Sequence, residues 1–228
     1  MAGNSKNTNC VFTINFGDHD LLKDPTFVTQ GWDYICFTNN DLQSNVWQMR
    51  KVDLDLEDRL AARYVYINSH LFLDDYDYTL LVGGQIRIDG NLNDFTDTYF
   101  NFNKLINVME HPCRRCIYKE AEIIMREKID TPERVFPQIK RYREEGFPVD
   151  FGLSACGIIG RKRDPKVDEF ERMWWGEVSK GSHRDQLSFD YVRWKLKFDK
   201  IHWFEYKVIF GKYFSVYIRK TNRRIGGL

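Results

Sequence analysis

The sequence predicts an α/β fold: a single domain built on a central mixed, mostly parallel sheet flanked by helices. Three observations carry the prediction. Compact apolar runs with strand character lead the first half, at residues 10–16, 33–37 and 78–82. Helix-period segments then alternate with further apolar runs from residue 117 onward, the pattern of sheets covered by crossover helices. The 228 residues contain no internal repeat, linker or low-complexity stretch, and their number fits one domain.

In chain order, residues 10–16 read as a strand stopped by Gly17 and Asp18, and residues 33–37 as a second, followed by the turn-prone segment 38–41. Residues 46–49 make a short third strand, and 54–64 carry helical spacing. The run 78–82 is apolar throughout, as a strand buried on both faces requires. Gly83 and Gly84 interrupt it, and 85–88 resume an alternating pattern. A strand at 106–109 precedes a helix at 117–128. Thr131 followed by Pro132 marks the next helix start, with Gly146 just past its end. Residues 157–160 form a short buried strand. Asp164 and Pro165 open a helix whose Val167, Phe170 and Trp174 share a face. Ser182 caps the last helix, with Leu187, Tyr191 and Trp194 turned inward. The tail, 201–218, is aromatic and basic; it reads as a terminal element on the core or as a membrane or partner surface. The expected division is a flexible start at 1–9, a domain at 10–205, and a C-terminal extension at 206–228 packed on it.

Composition narrows the function. Hydrophobic residues make up 43% and aromatics 15%, enough for a large core and too much for disorder. The 34 basic and 33 acidic residues leave a net charge of +1, which argues against a nucleic-acid partner and makes any phosphate recognition local. The start of the chain is polar, and no apolar run is long enough to span a membrane. An odd set of cysteines (Cys10, Cys36, Cys113, Cys116, Cys156) without secretory features points to reduced thiols and a cytoplasmic setting, with peripheral membrane contact as an added option.

Three polar segments stand out. Gly83, Gly84 and Gln85 follow the central strand, where open α/β sheets bind ligands; a structural hairpin turn is the plainer reading. Asp74, Asp75 and Asp77 precede that strand and read as solvated loop carboxylates. His111, Arg114, Arg115 and Glu120 lie where a strand gives way to a helix, a natural anion site, or else a helix start with solvated arginines. Cys113 and Cys116 share that segment in the spacing of a redox dithiol, which leaves a thiol oxidoreductase as an alternative. Arg184, Asp185 and Gln186 sit at the last loop-to-helix junction. Ser182 and Asp185 have capping-box spacing, but capping needs neither Arg184 nor Gln186.

Residues 64–78, 111–121, 138–148 and 181–189 together resemble recurring segments of the hexosyltransferase-like family of glycosyltransferases found in surface-polysaccharide and plant-wall synthesis. The opening strands are also similar, so the resemblance spans about residues 11–204. It implies a GT-A-like domain that moves a hexose from a nucleoside diphosphate sugar to a hydroxyl on a glycan or protein-linked glycan. It also implies Mn2+ or Mg2+, held by an acidic motif after the central strand. Here Gly83, Gly84 and Gln85 stand in that place, and Ala155 stands where an acidic residue is common. Gln85 and Asp89 are the remaining metal candidates, and Asp89-Gly90-Asn91 restores the letters of the motif further on. By the resemblance, Thr13, Phe16, Thr38 and Asn39 contact the nucleotide. Gly83, Gly84 and Gln85 underlie the diphosphate. His111, Arg114, Arg115 and Glu120 build a wall. Arg184 faces phosphate, while Asp185, Gln186 and Glu120 are the catalytic candidates. An inverting course needs a base at the acceptor hydroxyl and a retaining one does not; the Asp185–Gln186 pair leans toward retention by analogy. The missing carboxylate leaves a second alternative, a nucleotide-sugar-binding protein with weakened or lost catalysis.

Overall fold

The computed structural model describes residues 8–17, 20–217 and 224–225. The expected flexible start lies outside the described residues through residue 7, and most of 218–228 lies outside them as well. The chain runs β1 (Asn9–Asn15), β2 (Trp32–Thr38), β3 (Gln48–Lys51), α1 (Asp58–Ile67), β4 (Tyr78–Val82), β5 (Ile86–Ile88), α2 (Leu92–Tyr99), β6 (Ile106–Glu110) and α3 (Ile117–Arg126). It continues with α4 (Pro132–Glu144), β7 (Ser154–Lys162), α5 (Pro165–Lys180), α6 (Gln186–Lys195), β8 (Ile201–Phe204), β9 (Phe214–Tyr217) and β10 (Arg224–Ile225).

Seven strands form the main sheet in the order β3-β2-β1-β4-β7-β6-β8. The β2–β3, β1–β2, β1–β4 and β6–β8 pairs are parallel, and β7 alone runs against its neighbours β4 and β6. The α/β expectation holds: a mostly parallel sheet between helices. A smaller antiparallel sheet, β10-β9-β5, stands beside it.

Alternation along the strands sorts the core into two layers. Leu81 of β4 faces the layer of α1 and α3 to α6, with Phe12, Phe37, Val65, Ile159, Trp174 and Phe189. Leu80 and Val82 face the other, with Tyr34, Trp47, Phe95 of α2 and Phe214 of β9. Each such side chain taken fully from water contributes about 1.5–3 kcal/mol. Phe214 stacks edge-on against Phe95 with ring centroids 4.8 Å apart, which ties the C-terminal strand to the domain.

Several elements differ from expectation. The third strand starts at Gln48 instead of residue 46. The Ser44 hydroxyl accepts from Val46 N (2.9 Å) and Trp47 N (2.8 Å), and this turn uses the donors a strand would need. The first helix begins at Asp58 and runs to Ile67, four residues later than the apolar spacing at 54 suggests. The strand expected at 157–160 is nine residues long and antiparallel. Its end buries Arg161, whose Nε lies 3.1 Å from Glu171 of α5, with both side chains almost fully enclosed. Ser182 does not cap α6. Its hydroxyl donates to Asp130 (2.7 Å), and the helix starts after Asp185, whose side chain makes no capping bond. Residues 85–88, expected to resume an alternating pattern after the glycines, form a strand from Ile86 that belongs to the small sheet.

Candidate active site

The strand order reverses direction at β1: the chain builds outward through β2 and β3, then returns to place β4 on the other side. Crevices of open α/β sheets form at such a switch, outside the carboxyl ends of the strands. A cleft of about 550 Å³ lies there. Its floor is Ile14, Asn15 and Phe16 from the end of β1 and Gly83, Gly84 and Gln85 from the end of β4. One wall is α1, through Asp58, Arg59, Arg63 and Tyr66; Arg184, Asp185 and Gln186 close another at the start of α6.

The floor is held from three directions. Gly83 N donates to the Gly157 carbonyl (2.9 Å), Ile86 N donates to the Gly83 carbonyl (2.8 Å), and Tyr217 N of β9 donates to the Gln85 carbonyl (2.9 Å). The backbone here is tightly packed. A Cβ at Gly84 would lie 3.1 Å from the Ile14 carbonyl oxygen, and one at Gly83 would lie 3.3 Å from that of Gly157. Glycine at these two positions therefore answers a close approach of strands.

Asp185 is nearly buried, at 5% exposure. It accepts from the Tyr66 hydroxyl, and Arg63 Nη2 lies 3.5 Å from its other oxygen. Burial works against its charge, but Arg63, Arg184 and the Tyr66 hydroxyl outweigh it and hold the carboxyl below its usual range. Burial and the Asp185 charge push the Tyr66 phenol up, so it remains a donor. Arg184 Nη2 donates to Gln186 Oε1 (3.0 Å), while its Nε is buried with no partner among the described residues. A buried donor without an acceptor is costly.

Of the residues singled out from sequence, Phe16, Gly83, Gly84, Gln85, Arg184, Asp185 and Gln186 converge on this cleft. The others stand apart from its lining. Thr13 and Thr38 are buried within β1 and β2, and the Thr38 hydroxyl accepts from Asn40 N (3.0 Å). Asn39 sits at the rim, where it accepts from Gly17 N (2.9 Å) and donates to Asp58 (2.7 Å). Arg114 is ion-paired with the buried Glu120. His111 Nδ1 accepts from Cys113 N and Arg114 N, both at 3.2 Å. Burial and the Arg114 charge hold that imidazole below its ordinary value, as an accepting nitrogen requires. Arg115 is exposed and faces Glu110 at 3.7 Å. The segment is thus a network of its own, outside the cleft lining. Cys113 is exposed, Cys116 is buried, and neither lines the cleft.

Sequence reasoning missed the α1 contribution. Arg59, Arg63 and Tyr66 lie three and four residues apart, so they share one helix face beside the apolar one. Two arginines on a helix that otherwise packs on a sheet were the available signal. Lys128 and Glu127, past the end of α3, also reach the cleft, with Lys128 in the left-handed region at φ 52°.

The residues after β4 do not fit the metal that the resemblance implies. Divalent Mg2+ and Mn2+ favour carboxylate oxygens. Gly83 and Gly84 offer no side chain, and Gln85 offers one amide oxygen. Asp89, the other candidate, is held by Arg87 Nε (2.6 Å), the Thr26 hydroxyl (2.9 Å) and Ser215, which fixes β5 to β9. Asn91 is the N-cap of α2 and accepts from Asn93 N (2.8 Å). Among the described residues, no three His, Cys, Asp or Glu side chains group closely enough to hold a metal. None of their helices is long and apolar enough to cross a membrane.

Comparison with known proteins places this geometry in context. None of the curated proteins matches the chain in sequence. Among solved structures, the apo form of the bifunctional glycosyltransferase WbbM is similar in fold, with a TM-score of 0.51 at 11% identity. The similarity covers 89% of this chain but 40% of that one, so this chain spans less than half of its neighbour's length. The model of the TOD1/MUCI70 glycosyltransferase-like domain matches residues 65–214, which include the end of α1, the glycine turn and the Arg184–Gln186 junction. The chain belongs to the TOD1/MUCI70 glycosyltransferase-like family.

Proposed function

We propose that this protein is a glycosyltransferase that moves a hexose from a nucleoside diphosphate sugar to a hydroxyl acceptor on a glycan. Family and fold support general glycosyltransferase function. The donor reading rests on one observation: segments far apart in sequence, at 14–16, 83–85 and 184–186, meet in a single cleft at the switch point of the sheet.

In this reading the diphosphate lies over the glycine turn, where the absence of side chains lets it approach the backbone. Arg184 donates to a phosphate oxygen with its unpartnered Nε, and the start of α6 adds the positive end of a helix dipole. The acceptor oxygen bonds to the anomeric carbon, and the bond from that carbon to the phosphate oxygen breaks. The diphosphate leaves with the electron pair. Fixed donors aimed at the charge that develops on it lower the barrier. The depressed pKa of Asp185 makes it a weak base at neutral pH, so its role is charge and orientation: it offsets positive charge at the anomeric carbon or accepts from sugar hydroxyls. Gln186 supplies an amide beside it. In a retaining course the acceptor proton passes to the departing phosphate, which needs no protein base.

A thermal-shift screen of nucleoside diphosphate sugars tests this. A ligand bound only by the folded state raises the unfolding midpoint according to its concentration over Kd. The reading expects at least one donor to do so in the wild type and to lose the effect in Arg184→Met. No shift with any donor contradicts it.

A further inference from the structure

We propose that the cleft grips its diphosphate with arginines in place of a divalent metal, so that donor binding is metal-independent. This rests on the donor reading above and adds how the charge is met.

The first observation is that the glycines are built in. The Cβ of an aspartate at Gly84 would press on the Ile14 carbonyl at 3.1 Å, and at Gly83 on the Gly157 carbonyl at 3.3 Å. Both neighbours are backbone atoms, and Gly83 and Gly157 are hydrogen-bonded to each other. A metal-binding side chain here requires those carbonyls to give by a few tenths of an ångström, and such overpacking costs about 1–3 kcal/mol. The position is shaped for backbone approach, with no space reserved for a metal ligand.

The second observation is what stands around the floor. Arg59, Arg63, Lys128 and Arg184 line the cleft together. Asp20, Asp58, Glu127 and Asp185 line it too, but each has a protein partner. Asp185 is held by Arg63 and Tyr66, Asp58 by Asn39, and Glu127 by Arg126 at 2.9 Å, while Asp20 stands in the field of Lys23. Among the cations of the cleft, Arg184 keeps a buried Nε without a hydrogen-bond partner among the described residues. Arg59 donates from Nη1 to the Ile129 carbonyl (3.1 Å), which fixes its guanidinium at the mouth between α1 and the end of α3. Burial holds Arg59 below its ordinary value; Asp130 and Asp185 draw it up, and the charges of Arg63 and Arg184 push it down. An incoming anion relieves this crowding of like charges. Planar guanidinium groups match phosphate oxygens in pairs and are shed from water more easily than an ammonium. They can therefore supply the stabilisation that a metal gives a leaving diphosphate.

The test is calorimetric titration of UDP, GDP, ADP and CDP into the full chain, once in EDTA and once with MnCl2. The proposal expects one of these nucleotides to bind in EDTA with an affinity within about threefold of that in manganese. It expects Arg184→Met and Arg59→Met each to weaken that binding by about tenfold or more, with Arg184→Lys in between because it keeps the charge and loses the fork. The two separate variants guard against one failing to fold, and circular dichroism verifies each. Binding that appears only with manganese overturns the proposal and leaves the donor reading standing. Equal affinity in EDTA but unchanged in both arginine variants overturns the arginine grip. If none of the four nucleotides binds in either condition, the donor reading fails and this inference with it.

Discussion

Arg114 and Arg184 each stand two or three residues before a helix, each with a carboxylate close by in sequence, and both invite reading as anion sites. Their surroundings separate them. Arg114 is consumed: it pairs with Glu120, which is 1% exposed, and turns over His111 in a closed network. Arg184 lines the cleft, spends one Nη2 donor on Gln186 and keeps a buried Nε without a partner among the described residues. The nearby carboxylate Asp185 is drawn away by Tyr66 and by Arg63 from another helix. A charge thus becomes a binding group when the fold supplies its neutralising partner to someone else, and structural glue when it does not.

This contrast can be broken or sharpened by substitution. The largest expected effect is on the consumed junction. Arg114→Met leaves the buried Glu120 charge unpaired and is expected to lower unfolding free energy by about 3 kcal/mol in urea titration. Adding Glu120→Leu recovers most of that loss, because an apolar pair replaces an orphaned charge. A fully stable Arg114→Met protein that fails to bind donor would reverse the roles assigned to the two junctions. Next in size, Gly84→Asp is expected to cost about 2 kcal/mol through its clash with the Ile14 carbonyl, without gaining manganese dependence. A stable, manganese-dependent variant would show that the floor does have room for a ligand. Smaller in free energy, Arg184→Met is expected to lower stability by about 1 kcal/mol, because it removes a charge that helps hold Asp185, while weakening donor binding by about tenfold, roughly 1.4 kcal/mol.

The smallest effect is on pH. The imidazoles of His111 and His183 are both held below their ordinary values, first by burial and then by Arg114 and Arg134 respectively. A base depressed in the fold favours the unfolded chain once protons are abundant. The stability these two contribute is therefore whole above the ordinary imidazole value and is lost as pH falls through the lowered folded values. Thermal midpoints measured from neutral to mildly acidic pH should decline. In His111→Asn, whose amide oxygen can accept the same two backbone donors, part of that decline should vanish. An unchanged pH profile in this variant would remove His111 from the account.

Much of this architecture was legible in the residues. The apolar runs at β1, β2 and β4 needed only burial on both sides to be recognised. Pro132 with Gly146, at φ 84°, framed α4, as Asp164 and Pro165 opened α5, with the Asp164 carboxylate accepting from Lys166 N as the cap. Long-range partners were not legible. β7 was read too short because its ends carry Ser154 and Arg161, polar residues that are buried where Asp190 and Glu171 meet them from the two helices that follow. α2 went unread because its sequence is rich in Asn, Asp and Thr and is stabilised by the Asn91 cap and by Phe95 in the second core. In the site, the glycine turn and the Arg184–Gln186 junction had local signatures. The Arg59 and Arg63 contribution had only their shared helix face as a signal, since α1 faces the cleft only after β1 and β4 become neighbours.

The most direct measurement is a crystal structure of the chain soaked with the nucleoside diphosphate that shifts its melting most. The account predicts phosphate density above Gly83 and Gly84, within hydrogen-bonding distance of Arg184 Nε. Phosphate density against Arg114 and Arg115, or anywhere outside the cleft between β1 and β4, would contradict it.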